Sequence, residues 1–249
     1  MKKSNTHSID GFFYDFAGLF KKGNILLVLS AFIILSCNKE SEVFPLGQDY
    51  FPIEMSEYRI YEVTETTYVD KIETIENYQL RESFFDTIEN GSETTYLMRV
   101  ERRESSADIW ESIENIAIRQ TIRTLEYQKQ NVTFVKMSYP VKAEREWDGN
   151  AQNAESEQLY HFEELGSGDW TFSDPAAFQQ PIPHIKLIIS DLPANIVEQD
   201  QRFEIYAQGI GLVERSFVEI DFCQQGCGTT NEREDGRILT QRLIEYGSE

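Results

Sequence analysis

The chain is short of basic residues, with 23 lysines and arginines against 43 aspartates and glutamates and a net charge of −20. Nucleic acids and anionic membrane surfaces repel a polyanion, and binding to them requires clusters of Lys or Arg. We therefore expect no nucleic-acid partner. The excess of acidic residues by itself indicates solubility rather than a cation site.

Histidine is also scarce, with three copies in all. The sequence has no G-x-S-x-G motif, no H-E-x-x-H motif and no phosphate-binding loop. His161 stands near Glu163, Glu164 and Asp169, a combination that can bind a metal or transfer protons. In so acidic a chain, proximity to carboxylates more simply indicates a surface histidine, and His184 is expected to end a loop before a buried strand. We predict no catalytic residue, no metal site and no cofactor.

The sequence contains no apolar run long enough to span a membrane comfortably. The run from Ile25 to Ser36 has twelve residues, which as a helix would cover about 18 Å of a hydrocarbon core of roughly 30 Å. Lys21 and Lys22 precede this run, and the small Ser36 stands directly before Cys37. This order of basic, apolar and small residues is typical of a secretory signal.

The residues Ile34-Leu35-Ser36-Cys37 resemble the lipobox of bacterial lipoproteins. The resemblance implies that residues 1–36 are a signal peptide and that Cys37 carries lipid, whose acyl chains would anchor the protein to a membrane. The alternatives are an ordinary secretory signal, or a buried helix that happens to precede a cysteine. We expect residues 37–48 to form the lipidated cysteine and a flexible tether, and residues 49–249 to form a single β-rich domain.

A short acidic stretch that contains Glu40 and Glu42 follows Cys37. It resembles the signal that sends lipoproteins of Bacteroidota to the cell surface, while the alternative is a spacer that is merely soluble. We therefore expect the outer membrane, with the cell surface favoured over the periplasmic face. The lipid on Cys37 would supply the membrane contact, and the further partner expected is a protein or small ligand of the envelope.

Two cysteines remain beyond Cys37, namely Cys223 and Cys227 in the stretch FCQQGCG. An exported protein meets oxidising conditions, and a pair four residues apart in a glycine-containing loop can close a small ring. The spacing therefore predicts a disulfide. A redox dithiol would favour a two-residue spacing at the start of a helix, and zinc would need further ligands. Those two alternatives and free thiols remain open.

From residue 58 onward the chain lacks a sustained helical period, and runs rich in Thr, Ile, Val, Tyr and Phe are interleaved with polar residues. A period of two is typical of strands in an antiparallel sheet with one buried face. In TTYLMRVERR this pattern places Met98 and Val100 on the buried face. In FVEIDF it predicts that Val218, Ile220 and Phe222 lie inside.

Turn residues stand between these runs at hairpin spacing, at Asn90-Gly91, at Gln130-Asn131 and at Gly209 or Gly211. We predict seven to nine strands in hairpin order. The predicted fold class is all-β: a curled antiparallel meander that forms a barrel-like or two-layer sheet, with few or no long helices after the signal peptide. Residues 147 to 200 are less regular and are expected to hold long loops.

The tryptophans Trp110, Trp147 and Trp170 lie near predicted strand ends or loops. Exposed rings there would form a surface for sugar stacking or protein binding, but we favour rings that plug the ends of a barrel. The loop after Trp147 carries Asp148 and Asn150, a faint similarity to a calcium loop that lacks the residues fixing such a geometry. A polar turn packed around Trp147 is the favoured interpretation.

Four stretches together resemble a group of uncharacterised lipoproteins of Bacteroidota. They are FEIYAQGIGLVERSFVEIDFC, the later QRLIEYG, WDGN at Trp147 to Asn150 and DYFPI at Asp49 to Ile53. The most distinctive piece is the segment from Tyr206 to Val213. The resemblance implies a secreted β-rich body and no assigned chemistry.

These features favour a non-catalytic lipoprotein of the outer membrane that binds a partner or ligand or serves envelope structure. The second hypothesis is a carrier or receptor for a lipid or small apolar molecule, which predicts a continuous apolar cavity. The third is a hydrolase of envelope glycans. Such an enzyme needs two carboxylates in one cleft, which sequence spacing does not reveal.

Overall fold

The structure is a computed structural model that describes residues 45–91, 93–164 and 182–248. Its regular elements are twelve strands and one turn of 3₁₀-helix at Gln48–Tyr50. No helix in these residues has the length and apolar character needed to cross a membrane. The strands are β1 (Glu57–Val69), β2 (Ile72–Asn90), β3 (Glu93–Arg103), β4 (Glu111–Gln120), β5 (Thr124–Lys129), β6 (Val132–Ser138), β7 (Glu146–Asp148), β8 (Leu159–Glu164), β9 (His184–Leu192), β10 (Glu198–Ala207), β11 (Gly211–Phe222) and β12 (Arg233–Ser248).

All twelve strands form one antiparallel sheet made of two meanders. Strands β1 to β6 lie side by side in chain order, β7 to β12 do the same, and β1 pairs with β12. The predicted all-β curled meander is confirmed as a barrel-like sheet. The predicted number of strands is wrong, because the region 147–200, expected to hold long loops, contributes β8, β9 and the start of β10.

The edge strands β6 and β7 meet and nearly close the sheet. The amide of Val135 in β6 donates to the carbonyl of Gly149, directly after β7, at 2.8 Å. The indole Nε1 of Trp147 donates to the carbonyl of Val135 at 2.9 Å, and Nδ2 of Asn153 donates to the carbonyl of Thr133 at 2.9 Å. Closure protects the strand edges and encloses the side chains that point inward.

The predicted hairpin turns are confirmed by the backbone. Gln130 and Asn131, with φ angles of 49° and 64°, form the turn between β5 and β6, and Gly91 follows β2 with a φ of 66°. The turn between β10 and β11 contains Gly209, with a φ of 75°, and is followed by Gly211, the first residue of β11, which has a φ of 99°. Glycine is required at that position, because a Cβ atom would lie 2.9 Å from Nε of the buried Arg59.

The segment before β1 plugs one end of the barrel-like sheet, which we call the plugged end. Phe51 is only 1% exposed there, and the aromatic rings that it contacts edge-on are Phe84, Tyr127 and Tyr206. The amide of Val141 donates to the carbonyl of Leu46 at 2.9 Å and holds the segment in place. The opposite end, which we call the open end, carries the β1–β2 turn and the loop between β11 and β12.

Ile220 and Phe222 of FVEIDF are buried as predicted, but on the outer side of the sheet, so the two faces of β11 are the reverse of those expected. Phe217 pairs with Leu239 of β12, and both side chains face the interior. The alternate residues of β11 therefore point outward. There Ile220 and Phe222 form a separate small cluster with Tyr68 of β1, and Val218, together with Ile238 of β12, packs against it. In β3, by contrast, Met98 and Val100 are buried as predicted.

Candidate ligand-binding cavity

A cavity of about 400 Å³ lies inside the sheet, between the plugged end and the open end. Its lining forms three tiers, which we call the floor, the belt and the mouth. The floor consists of Glu82, Lys136, Glu204, Arg215 and Gln241. The belt includes Leu80, Val100, Ile116, Ile189, Phe217 and Leu239, and the mouth includes Glu65, Glu114, Lys129, Arg202 and Arg237.

The register of β11 and β12 explains these tiers. Successive inward pairs across the two strands are Arg215 with Gln241, Phe217 with Leu239, and Glu219 with Arg237. Residues two apart on a strand are separated by about 6.6 Å. On this side of the cavity, a single apolar tier therefore separates the floor from the mouth.

Glu204 in β10 is the central residue of the floor and is 0% exposed. Its Oε1 lies 2.7 Å from Nε of Arg215, the residue opposite on β11. Its Oε2 lies 2.6 Å from Nζ of Lys136 on β6 and accepts a hydrogen bond of 2.6 Å from the hydroxyl of Tyr206. Both carboxylate oxygens are therefore occupied, and the ion triad of Glu204, Arg215 and Lys136 ties β6, β10 and β11 together from within.

The charges of this triad determine its protonation. Burial alone would raise the pKa of Glu204, but Lys136 and Arg215 outweigh burial and lower the pKa to about 2. Burial lowers the pKa of Lys136, and Glu204 opposes that effect. Burial also acts to lower the pKa of Arg215, but Glu204 and Glu82 raise it above its ordinary value. Glu204 is thus an anion at neutral pH.

Gln241 in β12 completes the floor and is 1% exposed. Its Oε1 accepts a hydrogen bond of 2.9 Å from Nη1 of Arg215. Its amide nitrogen Nε2 is buried and has no hydrogen-bond partner among the residues that the structure describes. A buried donor without an acceptor costs about 1–3 kcal/mol. This nitrogen therefore marks a position for an acceptor on a bound molecule or water.

A second carboxylate, Glu82 in β2, also belongs to the floor. It accepts a hydrogen bond of 3.1 Å from the hydroxyl of Tyr61, which also lies 3.2 Å from the carbonyl of Leu212. Burial raises the pKa values of Tyr61, Tyr127 and Tyr206 well above the ordinary value. These phenols therefore remain neutral at physiological pH.

Ion pairs surround the mouth. The paired side chains are Lys129 with Glu114 at 2.6 Å, Arg237 with Glu219 at 2.8 Å and Arg202 with Asp200 at 2.6 Å. The Lys129 and Arg237 side chains are about half exposed. Solvated pairs of this kind contribute about 0–1 kcal/mol each. The mouth is therefore a polar surface in contact with solvent, unlike the buried triad.

The floor brings Glu82 and Glu204 into one cavity, as the hydrolase hypothesis requires. In a glycosidase, one of the two carboxyl groups must have a raised pKa to act as the acid. The pKa of Glu204 is lowered instead, and both of its oxygens are occupied. Glu204 is therefore a poor candidate for the acid of such a pair.

His161 does not line this cavity. The next residue, Phe162, is 1% exposed and belongs to the core, so His161 lies on the outer face of β8. Glu163 forms an ion pair of 3.0 Å with Lys186, and Asp169 lies outside the described residues. His161 thus fits the surface position that the sequence favours.

His184 begins β9, in agreement with its predicted position before a buried strand. It is 4% exposed, and its ring Nδ1 lies 2.9 Å from the carbonyl of Ile182. The strand that it opens contributes Ile185 and Leu187 to the core.

Trp147 packs against Tyr160 and Phe162, with ring centroids 6.0 Å and 4.7 Å away. In the loop that follows, Oδ1 of Asp148 accepts hydrogen bonds of 2.9 Å and 3.0 Å from the amides of Asn150 and Gln158. This is the polar turn around Trp147 that the sequence favours over a calcium loop.

Trp110 contacts two cations. The guanidinium carbons of Arg81 and Arg103 lie 5.3 Å and 4.1 Å from the centre of its ring. Trp110 thus stacks with arginines rather than plugging the cavity. Trp170 lies outside the described residues.

Cys223 and Cys227 lie in the loop between β11 and β12, with Cα atoms 5.7 Å apart, a separation that suits the predicted disulfide. Together with Glu232 they form the group of potential metal ligands found within the described residues. The disulfide itself stays a prediction. Cys37 and the signal peptide at residues 1–36 lie outside the described residues, so lipid attachment stays a prediction.

None of the five floor residues was predicted from the sequence. A signal is present for Gln241, which stands between Leu239 and Leu243 on an otherwise apolar face. Glu204 likewise alternates with the buried Tyr206. A polar residue at an inward position indicates a buried polar site, because such residues are rarely buried without partners.

Two solved structures are similar to the chain at low sequence identity. No protein-family model matches it, and no curated protein matches it. One structure is a candidate exported protein with a YmcC-like fold from Bacteroides fragilis, with 13% identity and a TM-score of 0.38 over 80% of this chain and 98% of that one. The other is a candidate lipoprotein from Parabacteroides distasonis, with 10% identity, a TM-score of 0.31 and the same coverage.

Proposed function

We propose that the chain is a non-catalytic binding lipoprotein of the bacterial outer membrane, anchored through Cys37, and that its cavity binds a small ligand. The observation that carries the binding proposal is the unpartnered amide nitrogen of Gln241, which belongs to a residue lining a cavity of about 400 Å³. Ligand sites are typically cavities of roughly 300–1,000 Å³ with apolar walls and a few converging polar groups. The belt and the floor supply both features.

The sequence supports the anchor and the location. The lipobox-like residues Ile34 to Cys37 favour lipidation, and the acidic Glu40 and Glu42 favour display at the cell surface. A protein held there by its lipid meets small molecules of the surroundings before they enter the cell. A binding role at the surface therefore fits the cavity.

A long-chain lipid is a poorer candidate for the ligand. The carrier hypothesis predicted a continuous apolar cavity, whereas charged residues line both the floor and the mouth. A long acyl chain would place methylene groups against Lys136 or Arg215. The N–H groups of these side chains that do not bond to protein would then lose their contact with water, which is unfavourable for binding. We therefore favour a ligand that presents a polar group to the floor.

Native mass spectrometry of the lipidated protein, purified from membranes in mild detergent, tests the binding function. We expect a retained small molecule that is released on denaturation. Leu239→Trp would fill the belt and should abolish this extra mass. The matched control is Leu159→Trp, at a position that is 50% exposed, and it should retain the mass.

Two outcomes contradict the proposal. A wild-type protein with no retained molecule, or a Leu239→Trp variant that retains it fully, speaks against binding in this cavity. Conversion of the released molecule to a product during incubation with fresh protein contradicts the non-catalytic role.

A further inference from the structure

We propose that the ligand of this cavity is a small carboxylic acid whose body is one aromatic ring or a short chain. Its carboxylate would lie against Gln241 and Arg215 on the floor, and its body would fill the belt. The inference rests on the proposed binding function and names the chemical class of the ligand.

The floor offers more hydrogen-bond donors than it uses. The ammonium of Lys136 contacts one oxygen of Glu204 and lies 5.8 Å from the ring centre of Tyr127. Arg215 donates to Glu204 through Nε and to Gln241 through Nη1. An ammonium and a guanidinium carry more N–H groups than these bonds use, and Nε2 of Gln241 adds a donor that has no acceptor in the described part of the chain.

The best-placed acceptor of the floor is already engaged. Both oxygens of Glu204 are bound by Arg215, Lys136 and Tyr206. At Glu204, a ligand that brought further donors would compete with these groups, whereas a ligand that brings acceptors would pair with the unused donors of Lys136, Arg215 and Gln241. A carboxylate presents two oxygens side by side, and hydrogen bonds to a charged acceptor are roughly twice as strong as neutral ones.

The charge of the lining points in the same direction. Five cationic and four acidic residues line the cavity, whereas the whole chain has 23 basic and 43 acidic residues. Asp200 and Glu219 pair with Arg202 and Arg237 at the mouth, so the cations left for a ligand are those of the floor, Lys136 and Arg215. An anion bound there would lie beside these two cations.

The height of the belt limits the body of the ligand. Phe217 and Leu239 form one apolar tier between Arg215 with Gln241 below and Arg237 above. Successive tiers are about 6.6 Å apart, so a body much longer than one ring would reach the charged mouth. Tyr127, Phe134 and Tyr160 also line the cavity and can pack against an aromatic body.

The test uses the full mature lipoprotein in detergent, cleared of any retained molecule by dialysis, and isothermal titration calorimetry with four probes. The probes are 3-phenylpropionate, its primary amide, 3-phenylpropylamine and tetradecanoate. We expect 3-phenylpropionate to bind at least about tenfold more tightly than the amide and the amine. Tetradecanoate should bind no more tightly than 3-phenylpropionate.

Gln241→Glu provides a variant with an inverted charge preference. Glutamate keeps the volume and the acceptor for Arg215 but replaces the unpartnered donor with an anionic oxygen. We expect at least about tenfold weaker binding of 3-phenylpropionate and tighter binding of the amine. The control is Gln79→Glu, because Gln79 also accepts from an arginine, Nε of Arg103 at 2.8 Å, but lies outside the cavity.

Equal affinity for the carboxylate and the amine, or tighter binding of tetradecanoate, overturns the inference. The inference is also overturned if Gln241→Glu keeps the preference of the wild type for 3-phenylpropionate over the amine while circular dichroism shows that the variant is folded. If none of the probes binds although native mass spectrometry finds a retained molecule, the carboxylic-acid class is wrong and the binding function stands. If the wild-type protein retains nothing and binds no probe, the binding function itself is wrong.

Discussion

Arg215 and Glu204 lie directly opposite each other on β11 and β10, and Nε of the guanidinium is 2.7 Å from Oε1 of the carboxylate. Glu204 is wholly buried, whereas the Arg215 side chain is 21% exposed and lines the cavity. Ionic groups in an interior are stable only when their partners are complete. The stability of the barrel-like sheet and its capacity to bind thus depend on the same cluster.

Glu204→Gln removes a carboxylate that contacts both Lys136 and Arg215. We expect the free energy of unfolding to fall by about 3–5 kcal/mol, because two enclosed cations lose their common counter-ion. Urea denaturation at neutral pH measures the change. The matched control is Glu163→Gln on the surface, where the pair with Lys186 is solvated and its loss costs about 0–1 kcal/mol. Equal effects of the two substitutions would contradict the importance of the buried triad.

The lowered pKa of Glu204 predicts a specific response to acid. The pKa is about 2 in the folded state, against an ordinary value of 4.5. A carboxyl with a depressed pKa contributes stability above its unfolded pKa and loses it as the pH falls towards its folded pKa. The stability difference between the wild type and Glu204→Gln should therefore shrink by roughly 3 kcal/mol between about pH 5 and pH 2. Denaturation curves across this range check it, and a constant difference would show that Glu204 titrates normally.

The strands and turns were predictable because their causes are local. Period-two alternation marks β3, and Gln130-Asn131 tolerates the positive φ angles that the turn between β5 and β6 needs. The reversed faces of β11 have a physical reason as well. Val218 and Ile220 are apolar because an outer cluster packs on them, and alternation alone does not distinguish an outer buried face from an inner one.

The cavity was not predictable because its residues are brought together only by closure of the sheet. Lys136 on β6 and Glu204 on β10 are distant in sequence, and they meet because the edge strands β6 and β7 approach each other. Gln241 joins them through the pairing of β12 with β11. No local sequence pattern shows how the residues of three separate strands are aligned. A charged residue on an apolar face therefore indicates only that it needs a polar partner, not which residue that partner is.

Phe51→Ala tests the plugged end. The Phe51 ring is 1% exposed and contacts three other aromatic rings, so its removal should lower the free energy of unfolding by about 3–5 kcal/mol. The matched control is Phe85→Ala, because Phe85 is 37% exposed and packs with Arg99. Its loss should cost no more than about 1 kcal/mol. Thermal unfolding of both variants measures the two losses of stability. A small loss in Phe51→Ala would mean that the plug adds little to the stability of the fold.

The predicted disulfide between Cys223 and Cys227 is tested by alkylation and mass spectrometry. The purified mature protein should take up no iodoacetamide at these cysteines before reduction and two equivalents afterwards. The disulfide would close a short loop and so lower the conformational entropy of the unfolded chain only modestly. Its reduction should therefore lower the free energy of unfolding by about 2 kcal/mol. Uptake of two equivalents without reduction would instead favour the free thiols that the sequence left open.

Cys37→Ser tests the anchor on which the proposed location depends. Cells fed an alkyne analogue of palmitate should label the wild-type protein, because the lipobox-like residues before Cys37 direct acylation to its sulfur. The serine variant should carry no label and leave the membrane fraction, since two or more acyl chains are what hold a lipoprotein on a bilayer. The double variant Cys223→Ser/Cys227→Ser is the matched control: it removes the other two cysteines and should keep both the label and the membrane location. Equal labelling of Cys37→Ser and the wild type would place the lipid elsewhere, and an unlabelled wild type recovered in the soluble fraction would mean that the apolar segment serves only for secretion.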